Sequence, residues 1–518
     1  MEQRFPPPLK SAALAHPKAA DGMRRYADSI EHSEVFWARV AERLDWIKKP
    51  VRIQDTSLRL PDFHIRWFED GVLNTSVNCL DRHLDARGDK TAIVFQSDDP
   101  AESRPISYRA LHTEVCHFAN ALRNLGINKG TRVVLYLPMI PEAVVAMLAC
   151  ARIGAIHAIV SGSISPDALA QRIADCTAKL VITADAGRRG GKSIPYKTHV
   201  DTALAHPGTN SVETVVVVRR SGAAIPMQAP RDRWWHVLSE GQPDLCTPEP
   251  MHAEDPLFIL YGSNSSDPPQ GVLHSTAGYL LYASFTHEQV FDLRDDDVYW
   301  CSADLGQIAG HSYSVYGPLS NGATSLLFEG LPTWPDSNRY RQIIDTHQVS
   351  VLYTSTPTLR TLLHATEAPI KAALNASLRQ LGTFSEPTHP KTGSEYQQIV
   401  SERRDPIIDT WMQAATGGIL FAPLPGTPIV NKPGSVRRPF YGIQPAIVNG
   451  DGKVLEGAGT GKLVMTTSWP GQIRTFYGDH QRFLDTYFTV CPGYYFTGKR
   501  ARRDKDGDYW ITSEVDDV

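Results

Sequence analysis

Long apolar runs are missing from this 518-residue chain. The most apolar stretch, Ala143 to Val160, is broken by Arg152 and His157, so a buried helix followed by a strand is expected rather than a membrane span. The first twenty residues, "MEQRFPPPLKSAALAHPKAA", have no continuous apolar centre of signal-peptide length and read as a loose arm. A basic excess is missing too: the net charge is -4, which argues against a nucleic-acid partner. Cysteine is sparse. The seven, at 79, 116, 150, 176, 246, 301 and 491, form no CxxC pair, so a reducing compartment without structural zinc is expected. Internal repeats, low-complexity tracts and heptad runs are also absent. With no membrane or export signal, the expected location is the cytoplasm.

What remains is a chain too long for one simple core, so two or more packed units are expected. Leu111, Val115, Phe118 and Leu122 recur at spacings of three and four before Gly126, which predicts an amphipathic helix over 108–125. Runs rich in β-branched residues at 131–137, 155–160, 179–184, 214–218 and 350–355 predict buried strands. Their alternation with helical patterns implies an α/β fold with parallel, helix-covered sheets. From about Pro433 the chain turns to Gly, aromatics and short strands, with a hairpin turn expected at Asn449 to Gly452.

The stretch "LYGSNSSDPPQGVLH" (260–274) follows an apolar run and precedes a segment that reads as a helix. A Ser- and Gly-bearing turn in that context is where a nucleotide-binding protein places its phosphate loop. Lysine, however, is absent from it. Asp267 carries the charge of a phosphate, and Pro268 and Pro269 donate no N–H. As residues alone, Ser263 to Ser266 are either phosphate donors or a plain Ser-rich turn.

The stretches "WFEDGVLNTSVNCLDRHL", "GRRGGKSIPYK", "AEDPLFILY", "AGHSYSVYGPLSNGATSLLFEG", "DTWMQAATGGI", "SWPGQIRTFYGDH" and "GYYFTGKRARRDKDGDYWIT" closely resemble the AMP-forming acetyl-CoA synthetases of the acyl-adenylate-forming superfamily, in order and from about residue 25 onward. The resemblance implies a large adenylate-forming α/β domain of two helix-covered β-sheets plus a small β unit. Its expected parts are an arm and helical extension over 1–75, the α/β body over 76–432 and a β-rich subdomain over 433–518. It implies a small carboxylate, ATP/AMP, CoA and Mg2+ as substrates and cofactors, and acetyl-AMP as the intermediate.

By the same resemblance, nucleotide contacts fall on Ser263, Ser265, Ser266, Ser385, Glu386, Pro387, Asp409, Thr410, Trp411, Met412, Gln413, Arg474 and Asp479. The acyl pocket falls on Ile308, Ala309 and Met412, and CoA contacts fall on Arg189, Gly190, Gly191 and Lys192. Taken alone, a basic turn such as 188–192 is a solvated loop, Trp411 is core, and Asp479 is a turn carboxylate. His311 reads as a satisfied structural histidine, and no catalytic residue is assigned.

Against the family pattern the chain departs at four places. The loop, which in the family reads Tyr-Thr-Ser-Gly-Ser-Thr-Gly-Lys-Pro-Lys-Gly, has lost both lysines. Ala415 stands where the family has the Mg2+-associated glutamate, so the metal ligand reads as lost; Ala414 replaces a threonine, and Met412 replaces a bulky tryptophan. Lys499 and Arg500 stand where the family has an aspartate for the ribose hydroxyls and a glycine. The sequence ends at "SEVDDV", where the family reaches its hinge, and the C-terminal family domain is expected to be absent. Two readings stand: an acetate–CoA ligase with impaired activity, and a non-catalytic nucleotide- or CoA-binding relative or truncated gene product.

Overall fold

The computed structural model describes residues 22–262, 269–364, 377–384, 407–425, 432 and 434–514. Two large sheets dominate. In the eight-stranded sheet, Asp232–Trp234, Thr214–Val218, Leu180–Ala184, Arg132–Tyr136, Ile156–Ile159 and Pro256–Tyr261 lie side by side and parallel; Gly271–Ser275 and Thr475–Phe476 extend it antiparallel. In the seven-stranded sheet, Ile408–Asp409, Gln380–Phe384, Val351–Ser355, Val298–Cys301, Thr324–Phe328 and Thr91–Gln96 are parallel, and Ser103–Ser107 closes the edge antiparallel.

The predicted helix is Tyr108–Asn124, with the Ser107 side chain accepting from the Ala110 N–H as its N-cap. Its apolar stripe, Leu111, Val115, Phe118 and Leu122, is fully buried. The most apolar run is a helix, Pro141–Arg152, followed by the strand Ile156–Ile159. Arg152 does not interrupt burial, because it makes a two-pronged pair with Asp81 at 2.8 and 2.9 Å. These parallel strands are buried on both faces, which is why they read as continuous apolar runs rather than alternating ones.

A four-stranded antiparallel sheet, Pro445–Val448, Gly459–Met465, Tyr495–Arg503 and Tyr509–Glu514, forms the later β-rich part. Its first turn is where expected: the Gly452 N–H reaches the Asn449 carbonyl at 3.1 Å, and Gly452 takes φ 78°. All seven cysteines are buried free thiols. No described helix is long and apolar enough to cross a membrane.

The helix expected after residue 274 is Thr276–Val290, and within the quoted stretch Gly271–Ser275 is a strand paired antiparallel with Pro256–Tyr261. Tyr261 lies opposite Gly271, where a Cβ would press on Ile259 at 2.7 Å. The two strands that flank the loop are antiparallel neighbours, while residues 263–268 between them lie outside the described residues.

Candidate functional site

The turn Gln413 to Thr416 is the hub of the expected nucleotide region. It is a short 3-10 helix in which the Gln413 N–H donates to Thr416 Oγ1 at 3.0 Å and the Thr416 N–H donates to the Gln413 carbonyl at 3.0 Å, and it ends at Gly417 with φ 70°. Four segments meet it. From the strand Gly271–Ser275, His274 Nε2 bonds the Ala414 carbonyl at 2.9 Å. The Ile473 N–H donates to the Ala415 carbonyl at 3.1 Å, and Trp469 Nε1 donates to that of Thr416 at 2.9 Å. Gln413 Nε2 reaches the Thr497 carbonyl at 2.9 Å, two residues before Lys499. Ser312 Oγ donates to the Gly417 carbonyl at 2.9 Å, which anchors the helical segment beginning at Ile308–Gly310 and continuing as a π-helix over His311–Tyr316. Distant stretches singled out in the sequence are thus brought to one turn.

Within the hub, individual side chains have settled tasks. Thr410 is buried, donating from Oγ1 to the Thr383 carbonyl at 2.8 Å and sharing a 2.6 Å bond with Tyr353 Oη. Asp409 accepts from Thr383 Oγ1. The Trp411 ring is 5% exposed and packs edge-on against Phe421 with centroids 5.8 Å apart, so it belongs to the core. Met412 is half-buried against the main core, and Ile308 and Ala309 are buried. Among the described residues, Gln413 Oε1 is buried without a hydrogen-bond partner. His311 is satisfied on one nitrogen only: Nδ1 bonds the Leu305 carbonyl at 2.5 Å, while Nε2 is buried and unpartnered.

Arg474 and Asp479 have structural partners. Arg474 forms a fork with Glu254, Nε to Oε2 at 2.6 Å and Nη2 to Oε1 at 2.8 Å, and its Nη1 donates to the Gln472 carbonyl. Glu254 was not singled out by sequence reasoning, although it lies in one of the quoted stretches; its carboxylate also accepts the Trp67 N–H at 2.9 Å. Asp479 is exposed and caps the helix His480–Tyr487 by accepting from the Arg482 N–H at 3.0 Å. Lys499 is half-buried in the strand Tyr495–Arg503, opposite Glu514, and Arg500 is exposed. Ser263, Ser265, Ser266, Ser385, Glu386 and Pro387 lie outside the described residues.

The basic turn is separate from the hub. It is a hairpin, Gly187–Arg189 with Lys192–Ile194, whose tip glycines take φ 62° and 73°. The N–H groups of Gly190 and Gly191 donate to the two oxygens of buried Asp98 at 2.8 and 2.7 Å. Its backbone donors are therefore already committed to a carboxylate. The side chains of Arg188, Arg189 and Lys192 are exposed.

Ala415 stands at the position where the resemblance expects the Mg2+-associated glutamate. Ala415 is 2% exposed and offers no oxygen from its side chain. Among the described residues, the one cluster of three carboxylates able to hold an ion is Asp504, Asp506 and Asp508. Lys432 Nζ already occupies it, at 2.5, 2.7 and 2.7 Å from the three, so an ammonium serves there as the cation. The alternation of acids in "DKDGDYW" is visible in the sequence, but its lysine partner is 72 residues away.

Comparison with known proteins places the chain. The AMP-binding enzyme family model matches residues 80–472, and the acetyl-coenzyme A synthetase N-terminus model matches 23–79. An acetyl-coenzyme A synthetase of Xanthomonas campestris pv. campestris is 58% identical over 494 residues, covering 95% of this chain and 76% of that protein. One from Xylella fastidiosa is 56% identical, covering 97% and 78%, and one from Bradyrhizobium diazoefficiens is 52% identical, covering 100% and 79%. The acetoacetyl-CoA synthetase of Streptomyces lividans superposes with a TM-score of 0.90 over 99% of this chain and 80% of its own, at 22% identity, which speaks to the fold alone. The chain belongs to the acetyl-coenzyme A synthetase family of AMP-binding enzymes.

Proposed function

We propose that this chain serves the family reaction, in which a carboxylate displaces pyrophosphate from ATP to give an acyl-AMP, and the CoA thiol then displaces AMP to give the acyl-CoA. The observation that carries this reading is 58% identity spread over 95% of the chain with an acetyl-coenzyme A synthetase. The side chains of Arg189 and Lys192 would meet the CoA phosphates, and Met412, Ile308 and Ala309 would wall the acyl group.

The adenylating half is proposed to be slow. A carboxylate attacking a phosphate surrounded by negative oxygens needs preorganised charge stabilisation, and losing one such group costs about 2.7–4 kcal/mol of transition-state binding. Ala415 offers no carboxylate, Lys499 accepts no hydrogen bond from a ribose, and the stretch 260–274 carries no lysine. Those three positions also support the second reading, a relative that binds nucleotide or CoA without turnover. Pyrophosphate release and hydroxamate trapping with ATP, Mg2+ and acetate, propionate or butyrate separate the two. Slow but measurable acyl-AMP formation is expected. Turnover at or above about 1 per second refutes the impairment, and none above background favours the non-catalytic reading.

A further inference from the structure

Outside the hub, the N-terminal helices Gly22–Glu31 and Ser33–Ala41 pack near the helix Thr276–Val290 and leave a recess of about 560 Å³. Its walls carry three arginines, Arg25, Arg39 and Arg43, over a floor that includes Phe36, Val40 and Phe285. The volume falls in the range of small-molecule sites, about 300–1,000 Å³. Neither the family reaction nor any residue expected from the resemblance uses it.

Two of the guanidiniums, those of Arg25 and Arg43, are held in place before any ligand arrives. Arg25 lies over the rings of Phe285 and Tyr441, 5.5 and 4.9 Å from their centroids, and its Nη1 donates to Gln289 at 2.7 Å. Arg43 lies over the same Phe285 ring at 5.4 Å, with Nε donating to Ser284 at 2.9 Å and Nη2 to Glu288 at 2.9 Å. Stacked, hydrogen-bonded guanidiniums lose little freedom on meeting an anion.

The charge balance leaves a place for one. Three arginines face two carboxylates, Glu42 and Glu288, so the lining carries a net charge of +1. Glu288 is paired with Arg43, while among the described residues the Arg25 guanidinium hydrogen-bonds only neutral Gln289. Arg39 is 68% exposed at the rim, and its contact with Asp28 is a loose 3.9 Å. Arg25 and Arg82 both repel the Arg43 charge, which burial already disfavours. An anion between Arg25 and Arg39 would relieve that repulsion.

We propose that this recess is a binding site, distinct from the adenylating site, for a small organic anion: a carboxylate or phosphate ester carried on an apolar or aromatic body. The anionic group would sit between Arg25 and Arg39, and the body would lie on Phe36, Val40 and Phe285.

Calorimetry with phenyl phosphate, 3-phenylpropionate, inorganic phosphate and the neutral 3-phenylpropanamide tests this on the whole chain. Both aromatic anions are expected to bind. Inorganic phosphate should bind at least tenfold more weakly than phenyl phosphate, and the amide should not bind. Arg25→Gln and Arg39→Gln should each weaken phenyl phosphate at least tenfold. Arg39 is exposed, so its variant tests the site even where Arg25→Gln perturbs the fold, and acyl-AMP formation should be unchanged in Arg39→Gln. Absence of binding by either aromatic anion at millimolar concentration overturns the proposal. So does undiminished binding in Arg39→Gln, which would place the anion at the nucleotide or acyl site.

Discussion

Acid should unfold this protein through its buried imidazoles, before most carboxylates protonate. His274, His287 and His311 are inaccessible to water, and burial pushes each down to about 3. Among the described residues each has a ring nitrogen without a partner, Nδ1 of His274 and Nε2 of His287 and His311, so a proton added there finds no acceptor. His157 stacks on His311 with centroids 5.8 Å apart and is driven down too, by burial and then by its neighbour. The sign follows from linkage. In the unfolded chain these groups bind protons below about pH 6.5 while the folded chain keeps them neutral, so stability falls as pH falls through that value.

At about pH 4.5, two units below the unfolded value, each group costs about 2.7 kcal/mol and the three together about 8 kcal/mol. That is comparable with the whole stability of an ordinary domain, about 5–15 kcal/mol. His112 acts in the opposite sense. The Asp81 hydrogen bond, aided by Cys116, holds it up to about 9, so its contribution is complete below about pH 6.5 and fades as pH rises through 9; acidification from neutrality returns less than about 1 kcal/mol. Urea denaturation followed by tryptophan fluorescence between about pH 7.5 and 4.5 should show the loss, and His274→Gln should reduce it by about 2.7 kcal/mol. A stability change under about 2 kcal/mol over that range refutes the reasoning, as does an NMR titration of any of the three imidazoles near pH 6.5.

Lys499→Asp with Arg500→Gly should tighten ATP binding measured by calorimetry, because an acceptor for the ribose hydroxyls supplies charge-assisted hydrogen bonds of about 1.5–3 kcal/mol; weaker binding means that the lysine serves a phosphate instead. With Met412 in place of a tryptophan wall, propionate or butyrate should compete for the adenylating site at least as well as acetate, and a clear preference for acetate contradicts the enlarged pocket. Gly417→Ala should destabilise the fold by more than about 1 kcal/mol in urea melts, since it combines φ 70° with a Cβ directed at the Gly471 carbonyl oxygen; an unchanged midpoint contradicts the close packing of these two segments.

Periodicity and composition fixed the elements by themselves. The helix at 108–124 and the strands at 132–136, 180–184, 214–218 and 351–355 follow from patterns internal to each segment, because burying a stripe or a pair of faces imposes a local repeat. Matched stretches also placed the chain in its family. Pairing supplied what pattern did not: Gly271–Ser275 is a strand because it lies against Pro256–Tyr261.

Side-chain partnerships were decided only by tertiary structure, since no local repeat records a contact between residues far apart in the chain. Arg474 looked free for a nucleotide until Glu254, 220 residues earlier, was placed against it. The N–H groups of the basic turn were spoken for by Asp98, 92 residues from Gly190. The three arginines of the recess come from two helices and the turn after the second, and nothing in those local sequences says that they share a recess. A sequence records which charges a chain carries; the fold determines which remain available after each has paired.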